Sequence, residues 1–156
     1  MVYTVTFNPA VDYIVHTKQL IAGATNRSDS EEIYFGGKGI NVSIVLSELG
    51  VKSKALGFVA GFTGEAIEKG VAEKGIDADF VHLNEGFSRI NVKIKSGEET
   101  ELNGQGPKIT DEAIRELYAK LDEIQDGDTL VLAGSIPSSL PADIYERILE
   151  RLSGKK

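Results

Sequence analysis

The sequence has 156 residues, 17 Lys and Arg against 24 Asp and Glu, a net charge of −7, and no Cys or Trp. That length suits one domain with a sizeable core, and 41% hydrophobic with 26% charged residues excludes a disordered chain or a disulfide scaffold. The acidic balance argues against broad binding to nucleic acid or anionic membranes, so an anionic ligand would need positive charge gathered locally.

No apolar run reaches the ~18 residues of a membrane span. Met1 to Phe7 lacks the basic flank and long apolar stretch of a secretion signal. A cytoplasmic location is expected.

Val2 to Phe7 is a β-rich run broken by Asn8-Pro9, and a second extended stretch covers Asp12 to His16. A third, Arg27 to Phe35, is more polar and reads as partly exposed. Gly36-Gly37-Lys38-Gly39 breaks the chain before a helix with Ile40, Val42, Ile44, Val45, Leu46 and Leu49 on most sides, ended by Gly50. Lys54 to Val59 predicts a short buried strand. Gly61-Phe-Thr-Gly64 reads as a turn in which Thr63 caps a helix from about Gly64 to Lys74.

Ala78 to Leu83 predicts one strand. Arg89 to Lys95 alternates Ile90, Val92 and Ile94 with Asn91, Lys93 and Lys95, the pattern of a half-buried strand. Ser96-Gly97-Glu98 predicts a hairpin turn into Glu99 to Asn103. Thr110, followed by Asp111 and Glu112, predicts a capped helix start, with an apolar stripe of Ile114, Leu117, Tyr118, Leu121 and Ile124. Thr129 to Ala133 reads as a strand buried on both faces of a parallel sheet. Pro141 suits the first turn of a last helix packing Ile144, Ile148, Leu149 and Leu152.

Alternating strands and helices predict an α/β fold around a mostly parallel sheet. The stretches within residues 12–35 and 88–104 do not fit the alternation. They read as antiparallel, half-exposed strands forming a small second layer.

Ligands of open α/β sheets bind beyond the carboxyl ends of the strands. Three loops qualify: the one carrying Asn8 and Asp12, the Gly36–Asn41 segment, and Gly134-Ser135-Ile-Pro137. The glycine loop is the sharpest. Glycines permit close backbone approach, the helix start offers free N–H groups, and Lys38 adds a full charge. The spacing is neither a Walker A loop nor Gly-x-Gly-x-x-Gly. Taken singly, Asp12 reads as a turn or cap residue rather than a hydroxyl acceptor, and Arg27 and Arg89 as solvated strand charges. His16 and His82 are isolated, with no Cys and no spaced His or Glu partner, so no metal site is expected.

Together, several segments resemble the N-terminal half of PfkB-family, ribokinase-like sugar kinases, closest to the bacterial 1-phosphofructokinase branch. They are Thr4–Asp12, Thr25–Arg27, Gly36–Ser43, Ala55–Gly64, Ser88–Lys93, Thr100–Gly104 and Leu132–Pro137, in the family's order. The resemblance implies a three-layer αβα core with a small β-sheet lid, residues 1–156 forming the N-terminal part of one such domain. Lid strands would lie within 12–35 and 88–104, and the C-terminal half of the fold would be absent.

The implied reaction is phosphoryl transfer from ATP, with Mg2+, to fructose 1-phosphate. By position, Asp12, Gly37 and Asn41 would hold sugar hydroxyls, while Arg27, Lys38, Arg89 and Ser135 would hold the substrate's phosphate. A homodimer clasped through the lids is implied. The family's catalytic base, its anion-stabilising glycines and most of its ATP pocket belong to a second half not found here. This chain alone is therefore expected to be inactive and to hold neither ATP nor Mg2+ tightly. The alternatives are a non-catalytic sugar-phosphate-binding or dimerisation module, a tagatose-6-phosphate kinase fragment, and a poorly folded fragment.

Overall fold

The computed structural model describes residues 1–155, so the expected domain limit at Lys156 lies outside the described residues. Val2–Thr6 (β1) is followed by Ala10–His16 (β2), Ser30–Gly36 (β3) and the helix Lys38–Glu48 (α1). Ser53–Ala60 (β4), the helix Gly61–Glu73 (α2), Asp77–Ala78 (β5) and Val81–Leu83 (β6) come next. Arg89–Ser96 (β7) and Glu98–Asn103 (β8) form a hairpin. Asp111–Asp122 (α3), Thr129–Leu132 (β9) and Ile144–Arg151 (α4) complete the order.

The main sheet runs β5-β4-β1-β9, with β6 also on β4, and every pairing in it is parallel. Alternation along β4 makes the layers. Ala55 and Val59 project to one face and Leu56 and Phe58 to the other, none more than 1% exposed. Ile40 of α1 and Ile67 and Val71 of α2 close over the first pair. Leu117 and Leu121 of α3, with Ile144 and Ile148 of α4, close over the second. The result is a three-layer αβα body with one core on each side of the sheet. Among the described residues, no helix is long and apolar enough to cross a membrane.

The second sheet runs β3-β2-β7-β8. Its two outer pairings are antiparallel, as the sequence pattern predicts, but β2 and β7 pair in parallel. Both strands leave the body from main-sheet strands, β2 after β1 and β7 after β6, so they run outward side by side. The register sets Tyr34, Asp12, Asn91 and Asn103 in one row across the four strands, and Ile33, Tyr13, Val92 and Leu102 in the next. Adjacent rows face opposite sides, so one face is polar and the other apolar. Phe35 anchors the sheet to the body by packing on the α2 side. It lies against Gly70 of α2, where a Cβ would meet the ring.

Several expectations are corrected. Gly61-Phe-Thr-Gly64 is the first turn of α2 rather than a loop, and Thr63 does not cap the helix. Residues 78–83 form two short strands, not one. β9 lies at the end of the strand order, and its residues are half-buried or, at Thr129, exposed. Pro141 precedes α4 instead of entering it, and Leu149 is 57% exposed. The Thr110 cap forms as predicted, its side chain accepting the Ala113 N–H at 3.2 Å.

Candidate functional site

β1, α1, β7 and the loop after β9 meet at the carboxyl end of the main sheet. They enclose a cavity of about 150 Å3 lined by Thr6, Phe7, Asn8, Gly37, Lys38, Arg89, Ala133, Gly134 and Ser135. Asn8, Arg89 and Ser135 also line an adjoining cleft of about 550 Å3, together with Asn103, Gln105, Lys108 and residues up to Ser139. Neither wall contains a carboxylate, whereas Lys38, Arg89 and Lys108 do line them. In a chain of net charge −7, this is a local concentration of positive charge suited to a small anion.

The backbone of α1 is drawn close to β1. A Cβ on Gly39 would lie 2.5 Å from Thr6 Oγ1 and 2.7 Å from the Val5 carbonyl. Gly37 sits at φ 137°, and a Cβ there would strike the Thr6 methyl. Only glycine allows this approach. Thr6 Oγ1 accepts the Ile40 N–H at 3.0 Å, which fixes the helix start beside the cavity.

Arg89 is held from both ends. Ser88 before it is 1% exposed, its hydroxyl accepting the Ala60 N–H at 3.0 Å and its carbonyl accepting from Thr63 Oγ1 at 2.7 Å. That is the work of Thr63 within the Gly61–Gly64 turn. The Arg89 Nε donates to the Asn8 carbonyl at 3.1 Å. Asn8 is itself fixed, its Nδ2 donating to the Gln105 carbonyl at 2.9 Å. On the far wall, the Tyr145 hydroxyl donates to the Gly134 carbonyl at 3.0 Å, with its ring stacked on Phe7 at 5.1 Å. Burial pushes the Tyr145 hydroxyl above its ordinary value of 10.0, so it remains a donor to the loop that carries Ser135.

Asp12 and Asn41 do not line this cavity but come together at Gly36, the residue before its Gly37 wall. A Cβ on Gly36 would lie 3.3 Å from Asp12 Oδ2 and 3.5 Å from Asn41 Oδ1. Asp12 Oδ1 accepts from Asn91 Nδ2 at 2.9 Å.

Six of the seven residues singled out in the sequence thus gather in one region: Asp12, Gly37, Lys38, Asn41, Arg89 and Ser135. Arg27 does not join them. It lies in the loop before β3 rather than in a strand, with its carbonyl accepting from Thr17 Oγ1 at 3.4 Å. The neighbouring Asp29 N–H bonds the His16 carbonyl at 2.7 Å. β2 is seven residues long, which puts that end roughly 20 Å from the Gly36 end. Sequence reasoning missed Asn91, Lys108 and Tyr145. For Asn91 a signal existed, since it shares the polar side of an alternating strand. For Lys108 and Tyr145 none did. Among the described residues, no group of three or more His, Cys, Asp or Glu side chains is placed to hold a metal ion.

The family model for "pfkB family carbohydrate kinase" matches residues 5–156. The chain belongs to the pfkB family of carbohydrate kinases. Among its pfkB relatives, 1-phosphofructokinase from Bacillus subtilis (strain 168) is 54% identical over 150 residues, covering 96% of this chain and 49% of the relative. D-tagatose-1-phosphate kinase from Bacillus licheniformis is 41% identical over 150 residues, with the same coverages of 96% and 49%. A crystal structure of a Staphylococcus aureus protein described as a phosphofructokinase superposes with a TM-score of 0.93 at 41% identity, over 99% of this chain and 50% of that one. Escherichia coli phosphofructokinase-2 in complex with fructose-6-phosphate gives a TM-score of 0.90 at 24% identity, over 99% of this chain and 52% of that one, a likeness of fold alone. The architecture is the ribokinase-like αβα fold of this family with its second small sheet. The chain spans about half the length of the relatives it matches.

Proposed function

We propose that this chain is the sugar-phosphate-binding half of a pfkB kinase that transfers the γ-phosphoryl group of MgATP to fructose 1-phosphate. The observation that carries the reading is the carboxylate-free cavity shared by Lys38, Arg89 and Ser135, with Asp12 and Asn41 meeting at Gly36, next to its Gly37 wall. Charge-assisted bonds to phosphate are about twice as strong as neutral ones, and a guanidinium binds two oxygens at once. In this reading Lys38, Arg89 and Ser135 hold the existing phosphate, and Asp12, Gly37 and Asn41 hold the sugar hydroxyls. Arg27 is left outside the phosphate set of a single chain.

Phosphoryl transfer depends mainly on positioning and charge stabilisation at the transferred group. A chain that supplies only the acceptor side binds its sugar phosphate without turning it over. The second sheet acts as the lid, and its apolar face is the surface through which two copies pair. Calorimetry with fructose 1-phosphate and an ATP-coupled assay on the same polypeptide test this. Binding without turnover is the expected result. Turnover at the rate of a full-length relative, or no binding at all, would overturn the reading.

A second substrate has support. The relative named D-tagatose-1-phosphate kinase moves the tagatose alternative from the 6-phosphate to the 1-phosphate. Fructose and tagatose 1-phosphates differ only in the configuration at C4, so the hydroxyl-binding side must separate them. Comparing the two affinities decides between them.

A further inference from the structure

Asn91 of β7 has its amide nitrogen committed and its amide oxygen without a partner. Its Nδ2 donates to Asp12 Oδ1 at 2.9 Å. The residue is 8% exposed, and its Oδ1 is closed off from solvent with no hydrogen bond. Buried polar oxygens are nearly always paired, so an exception calls for a reason. Turning the amide over would set Oδ1 against the Asp12 carboxylate and remove that carboxylate's donor. The orientation therefore serves Asp12 at the expense of Asn91's own oxygen.

The other half of the arrangement is Asp12 Oδ2. It lies beside Gly36, where a Cβ would come within 3.3 Å of it and within 3.5 Å of Asn41 Oδ1. The missing side chain keeps both oxygens clear. One carboxylate oxygen is thus tied back into the sheet, and the other is left next to a second acceptor at a glycine-lined gap.

We infer that Asn91 is a positioning residue for ligand hydroxyls: it pins Asp12 Oδ1 so that Oδ2 is the oxygen left to accept a hydroxyl of a polyol phosphate. This rests on the sugar-phosphate reading above. A residue kept for the fold contributes stability. One kept for Asp12 gives some up through its unpaired oxygen and shows its worth only in ligand selectivity.

The test uses Asn91→Leu in the full chain, similar in size and without polar atoms. Two ligands are titrated by calorimetry: fructose 1-phosphate, and inorganic phosphate, which engages Lys38 and Arg89 but has no sugar hydroxyls. The expected result is a loss of about tenfold or more in fructose 1-phosphate affinity, the scale of one hydrogen bond at a charged group. Inorganic phosphate affinity changes by less than about twofold, and the thermal midpoint is unchanged or higher. Equal losses for both ligands would make Asn91 a structural residue and overturn the inference, as would an unchanged fructose 1-phosphate affinity. Asn91→Ala gives the same affinity ratio where the Leu variant fails to fold. A parent chain that does not bind fructose 1-phosphate overturns the underlying reading instead, before any variant is compared.

Discussion

Arg89 Nε donates to the carbonyl of Asn8 at 3.1 Å, so the guanidinium enters the cavity already oriented by a residue 81 positions away in sequence. One of its five donors is spent on the backbone, and its two terminal nitrogens remain for a ligand. Pre-orientation of this kind lowers the entropy lost when an anion binds. Arg89→Ala is therefore expected to weaken fructose 1-phosphate binding by roughly ten- to hundredfold, the range of a lost charge-assisted bond. Arg89→Lys should recover little, since an ammonium cannot bond Asn8 and chelate two phosphate oxygens together. Calorimetric titration of the three proteins checks both statements. Recovery of parental affinity in the Lys variant would contradict the geometric argument.

Thr6 joins the fold to the site. It is 3% exposed, and its Oγ1 accepts the N–H of Ile40, which is wholly buried. Thr6→Val keeps the shape and leaves that N–H unpaired. A loss of about 1–3 kcal/mol is expected, read as a lower urea midpoint with an unchanged slope. Because the bond fixes the start of α1, sugar-phosphate affinity should fall as well.

At the opposite end of the molecule, Arg151 makes a two-pronged contact with Asp122, at 2.8 and 2.6 Å, while lying 5.0 Å from the Tyr118 ring centroid. It ties α4 to α3. Hydrogen bonding by Arg151 holds the Asp122 carboxyl below its ordinary value of 3.8. A carboxyl that titrates lower when folded contributes fully above the unfolded value, and the contribution is lost as pH falls through the folded one. Both side chains are close to half exposed, so solvent screening limits the effect to about 1 kcal/mol or less. Asp122→Asn should be slightly less stable than the parent near neutral pH, and the difference should close in strong acid. Melts across the acid range measure this. A difference that widens below pH ~3 would be the wrong sign.

The apolar row of the second sheet carries its own prediction. Leu102 is 73% exposed and Ile33 59%, at the two ends of the row that runs through Tyr13 and Val92. Tyr13 and Val92 between them are half-buried, and an apolar strip left open at both ends marks a surface that a partner could cover. If two copies pair through it, sedimentation should find a dimer for the parent. Leu102→Glu combined with Ile33→Glu should give a monomer that melts cooperatively. A parent that sediments as a monomer at all concentrations would remove the dimer from the proposal.

Local chemistry was readable wherever a few neighbouring residues decide the structure. The glycines before Ile40, the Thr110 cap and the alternation from Arg89 to Lys95 all give the elements they predict. The same reading failed where the deciding partner is remote. Thr129–Leu132 reads as a strand buried on both faces, yet its residues are half-buried or, at Thr129, exposed. The parallel pairing of β2 with β7 follows from where each strand leaves the body, which neither sequence states. Thr63 looked like a cap and instead secures Ser88, 25 residues on.

By itself, then, the sequence determined the elements, the family resemblance and the candidate cations, because each depends on residue types at short spacing. Only the tertiary structure decided which of those cations share a cavity. Lys38, Arg89 and Ser135 come together because α1, β7 and the loop after β9 converge on one cavity beyond the end of β1. Arg27 is set apart because β2 and β3 carry it to the far end of the second sheet. Strand order and register are sums of many weak long-range contacts, and no single stretch of sequence encodes them.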